Sequence, residues 1–279
     1  FSCDDPGPHS SQTEQDTRLF ALFAKVPVLD PSSPREAYEM TMAAFELSEK
    51  HRIPVIVRPT TRVCHARQAV GDGVGDAENR PARFVREPSR WAATPRHRLT
   101  LHKELNAKLE AIRRDFETSP LNEEEPGDWQ GQLAGGPLGI IATGHAWATV
   151  RDVLAEEGLR PSVLKIGTPY PLPLDLVGRF VDRHERVLVI EETDVAVEIQ
   201  IRRSVAGRGR QLLLNRYHDA ARYRRRGARS GGQHRGAYDA SSWLAGDRHE
   251  QHLSARHQAA RSPRVRASGV DARRAGQRR

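Results

Sequence analysis

Between residues 138 and 192, three short apolar runs alternate with two amphipathic stretches, and no other part of the sequence constrains the fold as tightly. The runs are 138–142 (LGIIA), 163–166 (VLKI) and 187–190 (VLVI). A turn at Gly144 and a helical pattern over 146–157 separate the first two. The loop 167–173 and a second helical pattern separate the last two. Short runs without polar alternation are strands buried on both faces, and their alternation with helices marks βαβ units. The expected fold class is therefore α/β, a doubly wound parallel sheet. Such sheets meet their ligands at the carboxyl ends of the strands. Here those ends are 143–145, 167–171 and 191–194, with Thr143, Thr168, Tyr170 and Glu191 as the groups to watch.

The charge is unevenly spread. Residues 1–201 hold 24 Lys and Arg against 31 Asp and Glu, whereas residues 202–279 hold 20 Arg, no Lys and 5 acidic residues. In that tail 8 of 78 residues are Val or Leu and none is Ile, Phe or Met, too few to bury a core that offsets ordering entropy. Residues 202–279 are expected to be a disordered basic tail. So many arginines without lysine, among Gly, Ala and Ser, fit an out-of-frame reading of a GC-rich gene. The alternative is a noncatalytic α/β module whose tail binds nucleic acid. Two cysteines, Cys3 and Cys64, form no disulfide framework or metal-ligand pattern, which fits a reducing cytoplasm. No apolar stretch reaches the roughly 20 residues needed to span a bilayer. A soluble, cytoplasmic protein without metal ligands is expected, and nucleic acid is not its expected partner.

Ahead of the opening pattern the elements are shorter. Ser11-Gln12-Thr13-Glu14 has the form of a capping box, predicting a helix over 12–24 whose N-terminus faces the preceding loop. Residues 26–29 and 53–57 read as strands. Between them, Ala37, Met40, Ala44, Phe45 and Leu47 give the helix over 35–50 a buried face. Arg58, Thr60, Thr61 and Arg62 cluster at a strand's carboxyl end, where the arginines could hold a phosphate or carboxylate; solvated strand-end arginines are the bland alternative. Residues 63–137 read as a linker carrying one long helix, about 98–116, with Leu101, Leu105, Leu109 and Ile112 on one face across a domain junction. The Gly71-Asp72-Gly73 triplet lacks a preceding strand, and Gly144 is not followed by the Lys-Ser/Thr of a phosphate-binding loop.

The segment Asp4-Asp5-Pro6-Gly7-Pro8-His9-Ser10-Ser11-Gln12-Thr13-Glu14-Gln15-Asp16 resembles a signature of the thiamine-diphosphate-dependent 2-oxoacid:ferredoxin oxidoreductases, closest to the alpha subunits that act on indolepyruvate. Three more stretches resemble the same subunits in the same order. They are FELSEK at 45–50 with RPTTRVCH at 58–65, VLKIGTPYPLP at 163–173, and VLVIEE at 187–192. Four ordered matches are far more specific than one.

The resemblance implies an architecture: residues 1–62 as the C-terminal part of a pyrimidine-binding domain, and 138–201 as a domain like the C-terminal domain of transketolase. It implies ferredoxin-dependent oxidative decarboxylation of aryl pyruvates to aryl-acetyl-CoA, or of pyruvate or another 2-oxoacid as the alternative. Thiamine diphosphate, Mg2+ and [4Fe-4S] clusters would be the cofactors of the intact enzyme. Its partners would be a beta subunit and ferredoxin, and indolepyruvate and coenzyme A its substrates. His9, Ser10, Ser11 and Gln12 would face the cofactor cavity as wall, with Arg58, Thr60, Thr61 and Arg62 as second choices; no catalytic residue is expected in the chain. The activating glutamate of the family is expected upstream of Phe1. The diphosphate and ferredoxin-like domains are expected beyond residue 201, so the chain is expected to be an inactive part of a gene.

Overall fold

The computed structural model describes residues 1–6, 15–71, 84–92, 94–128, 138–192, 194–205 and 211–214. All of these fall in one compact unit of the chain. In chain order the elements are α1 (Thr17–Ala24), β1 (Val28–Leu29), α2 (Pro34–His51), β2 (Ile56–Val57), α3 (Thr61–His65), α4 (Pro88–Trp91), α5 (Pro95–Phe116), β3 (Asn122–Glu125), β4 (Leu138–Thr143), α6 (Gly144–Glu156), β5 (Ser162–Ile166), α7 (Leu174–Asp182), β6 (Arg186–Ile190), α8 (Ala196–Val205) and β7 (Gln211–Leu214).

The three apolar runs form the centre of a five-stranded sheet, ordered β3-β5-β4-β6-β7. Strand β4 runs parallel to β5 on one side and to β6 on the other, β7 is parallel to β6, and β3 closes the far edge antiparallel to β5. Every residue of β4 is buried, yet the strand still has two faces. Ile141 joins Leu164, Ile166, Val187 and Val189 beneath Val177, Phe180 and Val181 of α7 and Val197 and Ile201 of α8. Ile140 and Ala142 point the other way, onto Trp147 and Val150 of α6. Period-two alternation therefore persists where polarity gives no sign of it.

The first part of the chain contributes a two-stranded parallel sheet, β1-β2, under α2 and α5. Leu29, Met40, Ala44, Ile53, Val57, Leu109, Ile112 and Phe116 make its core. Ser33 caps α2 by accepting from the Glu36 amide, with Pro34 at the first helical position. Phe45, expected on the buried face of α2, is 68% exposed. Met40 and Ala44, four residues apart, set that face, and Phe45 lies about 100° round the helix from Ala44. The long helix is α5, seated on the first core by Leu105, Leu109, Ile112 and Phe116. Its C-terminal end reaches the second sheet: the Glu117 carboxylate accepts from the Asp175 and Leu176 amides at the start of α7, at 3.0 and 2.7 Å.

Three local expectations differ from the structure. The helix expected over 12–24 begins at Thr17, capped by Asp16, while the capping box at 11–14 lies outside the described residues. The polar stretch read as linker contains β3, which pairs with β5 from Asn122↔Ile166 to Glu125↔Val163 because an edge strand with one exposed side tolerates Glu residues. Beyond residue 201, α8 continues to Val205 and the Leu212–Leu214 run pairs with β6; the rest of 202–279 lies outside the described residues.

Candidate functional site

In this sheet the first connection leaves β4 for β5 and the second returns across β4 to β6, so the topological switch point lies between the carboxyl ends of β4 and β6. That crevice is filled from within the chain. Arg18, 1% exposed, enters it from α1. Its Nη1 donates to Thr143 Oγ1 at the end of β4 (3.2 Å) and to Glu191 Oε2 after β6 (3.0 Å). Its Nε and Nη2 donate to the Asp16 carboxylate at 2.9 and 2.6 Å, and Nη2 also to the Asp194 carbonyl at 3.0 Å. The ends of β4, β5 and β6 are all engaged. Val28 donates to the Tyr170 carbonyl at 2.8 Å and Asp30 to that of Gly167 at 2.9 Å. Asn122 Oδ1 accepts from the Gly167 and Thr168 amides at 3.0 and 3.2 Å.

Arg58 is the second node, also 1% exposed. Its Nε donates to Asp4 Oδ2 (2.7 Å), its Nη1 lies 3.3 Å from Asp30 Oδ2, and its Nη2 donates to the Glu192 carbonyl at 3.2 Å. The sequence marks Arg58 as a holder of phosphate or carboxylate; the carboxylates it holds are the chain's own. Arg62 pairs with Glu192 at 3.3 Å. The Thr61 hydroxyl donates to the Asp4 carbonyl and to Asp5 Oδ1 at 3.2 and 3.0 Å. Thr60 is buried, and its Oγ1, like Ser32 Oγ and Glu192 Oε2, has no hydrogen-bond partner among the described residues. His9, Ser10, Ser11 and Gln12 lie outside the described residues. The residues flanking them are tied together: Gln15 N donates to the Asp5 carbonyl at 3.3 Å and Thr17 N to Asp4 Oδ2 at 2.7 Å.

Two guanidinium groups thus face four buried carboxyls, Asp4, Asp16, Asp30 and Glu191, and the electrostatics differ among them. Burial alone would raise the Asp16 pKa, but Arg18 and Arg58 outweigh it and bring it down to about 2. For Asp30, burial wins over Arg58 and Arg18 and the pKa is raised. Burial also raises Glu191 against the pull of Arg18 and of backbone amides at the start of α8. Glu191 caps that helix, accepting from Ala196, Val197 and Glu198 at 3.1, 2.9 and 2.9 Å. Gly144 opens α6 with φ of +49°, and a Cβ there would come within 2.6 Å of Asp30 Oδ1. A glycine is needed for both reasons. Beside it, burial and then Arg62 hold the His145 imidazole below its usual range, against Glu192.

A separate buried cation, Lys165 of β5, pairs with Glu36 of α2 and lies 4.5 Å from the Trp147 ring centroid. Neither Lys165 nor Arg18 stands out in the sequence as a site residue. Lys165 is hidden inside an apolar run. Arg18 lies two residues beyond the Asp4–Asp16 signature, and its one signal is the helix TRLFALFA, where it shares a buried face with Ala21 while Phe20 and Phe23 are exposed.

No family model matches the chain. Over 218 residues it is 41% identical to the indolepyruvate oxidoreductase subunit IorA of Thermococcus kodakarensis, covering 76% of this chain and 33% of that protein. It is 42% identical over 201 residues to IorA of Methanothermobacter marburgensis, covering 72% and 32%. The 2-oxoglutarate synthase subunit KorA of Methanothermobacter thermautotrophicus is 26% identical over 222 residues, covering 67% and 57%. Among solved structures, a 2-oxoglutarate:ferredoxin oxidoreductase from Magnetococcus marinus aligns with a TM-score of 0.53 at 18% identity, over 80% of this chain and 47% of that one; this is a likeness of fold. The chain spans about a third of the length of the IorA relatives it matches. Over that span the chain is homologous to the IorA subunits of the 2-oxoacid:ferredoxin oxidoreductase family.

Proposed function

We propose that the chain is part of the alpha subunit of an enzyme that oxidatively decarboxylates aryl pyruvates, indolepyruvate foremost, to aryl-acetyl-CoA with ferredoxin as electron acceptor. The observation that carries this is the gap in identity between the IorA subunit of Thermococcus kodakarensis, 41%, and the KorA subunit of Methanothermobacter thermautotrophicus, 26%. A beta subunit would complete the enzyme. Thiamine diphosphate with Mg2+ would supply the electron sink for loss of carbon dioxide, and [4Fe-4S] clusters the route to ferredoxin.

The described residues do not fit the diphosphate or metal part of that requirement. Among them no group of three His, Cys, Asp or Glu could hold a metal ion. Arg58 and Arg62 are committed to carboxylates, and the two cysteines of the sequence cannot supply the four thiolates of a cluster. The contribution of this chain is cavity wall: His9, Ser10, Ser11 and Gln12, with Arg58, Thr60, Thr61 and Arg62 as second choices. Arg18 and Arg58, through Asp16 and Asp4, hold the described residues on both sides of that segment against the second sheet. In this reading the second sheet is a support that orients the wall.

The test is a substrate comparison. The intact alpha subunit encoded at this locus is paired with its beta subunit, and ferredoxin reduction with coenzyme A is measured on indolepyruvate, phenylpyruvate, pyruvate and 2-oxoglutarate. Aryl pyruvates should have kcat/KM at least tenfold above the others. A preference for 2-oxoglutarate or pyruvate would refute the substrate assignment, and absence of 2-oxoacid-dependent ferredoxin reduction would refute the activity.

A further inference from the structure

The two cysteines of the sequence, 61 positions apart, meet in the fold. Cys3 lies in the segment that runs beside β2 and its extension: Ser2 N donates to the Val57 carbonyl at 3.0 Å and Asp4 N to that of Pro59 at 3.2 Å, with Asp4 bridged in parallel to Thr60. Cys64 sits one helical turn later on α3, its amide bonded to the Thr60 carbonyl at 3.0 Å. Both side chains are free thiols and both residues are exposed. Thr60 is thus the common neighbour that brings the two cysteines together: Cys3 adjoins its bridge partner Asp4, and Cys64 follows it by one helical turn.

We propose that Cys3 and Cys64 form a redox-active dithiol that closes reversibly into a disulfide when the chain meets a hydroperoxide. The reading is independent of the oxidoreductase assignment, since it needs no part of the 2-oxoacid chemistry. Two backbone anchors fix the approach. Cys3 cannot move away from α3 without breaking the hydrogen bonds that the Ser2 and Asp4 amides donate to Val57 and Pro59, and Cys64 is held by the helix that begins at Thr61. Partial burial and then the neighbouring Cys3 push the Cys64 thiol up, which disfavours its thiolate and makes Cys64 the resolving partner of the pair.

The Cys3 thiolate takes one oxygen of hydrogen peroxide. The S–O bond forms, the O–O bond breaks, and the departing hydroxide leaves as water after gaining a proton. Cys3 is then a sulfenic acid, oxidised by two electrons. The Cys64 sulfur attacks the Cys3 sulfur, the S–S bond forms, the S–O bond breaks, and the sulfenic hydroxyl leaves as a second water with the Cys64 proton. Two thiols and one peroxide become one disulfide and two waters, and a dithiol reductant returns the two electrons and two protons.

Closure at this place reaches the buried ionic junction. Cys3 adjoins Asp4, which accepts from Arg58 Nε, and Cys64 is two residues from Arg62, the partner of Glu192. The bond would fasten the chain just ahead of the candidate wall segment to the helix that follows Arg58.

The experiment treats the full chain, dilute and reduced, with equimolar hydrogen peroxide, then blocks remaining thiols and maps the peptides without reduction. The expected result is loss of both thiols together, one intramolecular Cys3–Cys64 peptide pair lighter by two hydrogens, and full recovery with dithiothreitol. Cys64→Ser should stop at a sulfenic acid on Cys3 that dimedone traps, and Cys3→Ser should react with peroxide at least tenfold more slowly. The unaltered chain gives a second reading that depends on no variant: phenylarsine oxide, which requires two adjacent thiols, should bind one arsenic per folded chain, and disulfide formation should slow at least tenfold in urea. Independent oxidation of each thiol to sulfinic acid, cross-linked chains in place of the internal pair, or no arsenic uptake by the folded chain would each overturn the proposal.

Discussion

The five-stranded sheet is held in two different ways. The face under α7 and α8 is apolar: Leu164, Val187, Phe180 and Ile201 meet without a polar atom among their side chains. Its carboxyl-terminal edge is ionic: Arg18 and Arg58 bind strand-end groups through carboxylates that are themselves buried. Apolar contact rewards area and shape, so a neighbour of similar volume serves nearly as well. A buried guanidinium rewards one arrangement only, because every donor must find its acceptor and every carboxylate its charge. The faces give the sheet its stability, and the edge fixes where the first part of the chain sits against it.

The contrast can be broken by exchanging side chains of similar size in the two regions. Leu164→Met in the apolar face should cost less than about 1.5 kcal/mol. Arg18→Met, a comparably unbranched replacement at the edge, leaves Glu191 buried without its cation and Asp16 with only the more distant Arg58, and should cost about 3–5 kcal/mol. Urea unfolding of the two variants beside the parent chain measures both. Equal costs would mean that the edge is as tolerant as the faces. A cycle with Glu191→Gln should then show the two edge substitutions to be strongly non-additive, since they share one hydrogen-bonded pair.

The same division governs what the sequence makes legible. The βαβαβ unit declares itself because each strand is an uninterrupted apolar run and each helix keeps its period; β4, α6, β5, α7 and β6 fall within a few residues of the expected places. Edge strand β3 does not, since NEEE has no strand character apart from the partner it pairs with. The junction is the least legible part. Arg58 is visible as a strand-end arginine, but that its partners are Asp4 and Asp30 depends on segments 54 and 28 residues away. Lys165 and Arg18 are masked by apolar neighbours, and the meeting of Cys3 with Cys64 has no local signature at all. Long-range polar pairing leaves no periodicity to read.

A smaller effect sharpens the ionic side of the comparison through pH. Asp16, with its pKa lowered from 3.8 to about 2, loses its proton more readily in the folded chain than in the unfolded one. Its contribution, about 2 kcal/mol, is therefore complete above pH 3.8 and is lost as pH falls toward 2. Asp30 and Glu191 work in the opposite sense. With pKa values raised by folding, they hold protons more tightly when folded, so mild acidification from neutrality adds stability until the unfolded chain is protonated too. Asp16→Asn, which keeps a good helix cap, should flatten the acid limb below about pH 4 and leave the mildly acidic limb alone. Asp30→Asn should do the reverse. Urea midpoints from pH 2 to 7 separate the two, and an acid limb unchanged by Asp16→Asn would detach that carboxyl from the junction.

The smallest effect is expected where the usual order of burial is inverted. Helix α1 buries Arg18 and Ala21 and leaves Phe20 59% and Phe23 87% exposed. A helix read by hydrophobicity alone would be turned the other way, with its phenylalanines inward. The ionic junction overrides that preference: turning the phenylalanines in would carry the guanidinium away from Thr143, Asp16 and Glu191, at a greater cost than two exposed rings impose. Phe23→Ser should therefore change the stability of the chain by no more than about 0.5 kcal/mol, the ordinary range for a surface site. In the same helix Ala21→Leu, forcing methyl groups into a filled space, should cost about 1–3 kcal/mol. Should Phe23→Ser instead cost as much as a core truncation, α1 would be packed by its aromatic face and the arginine would not be what orients it.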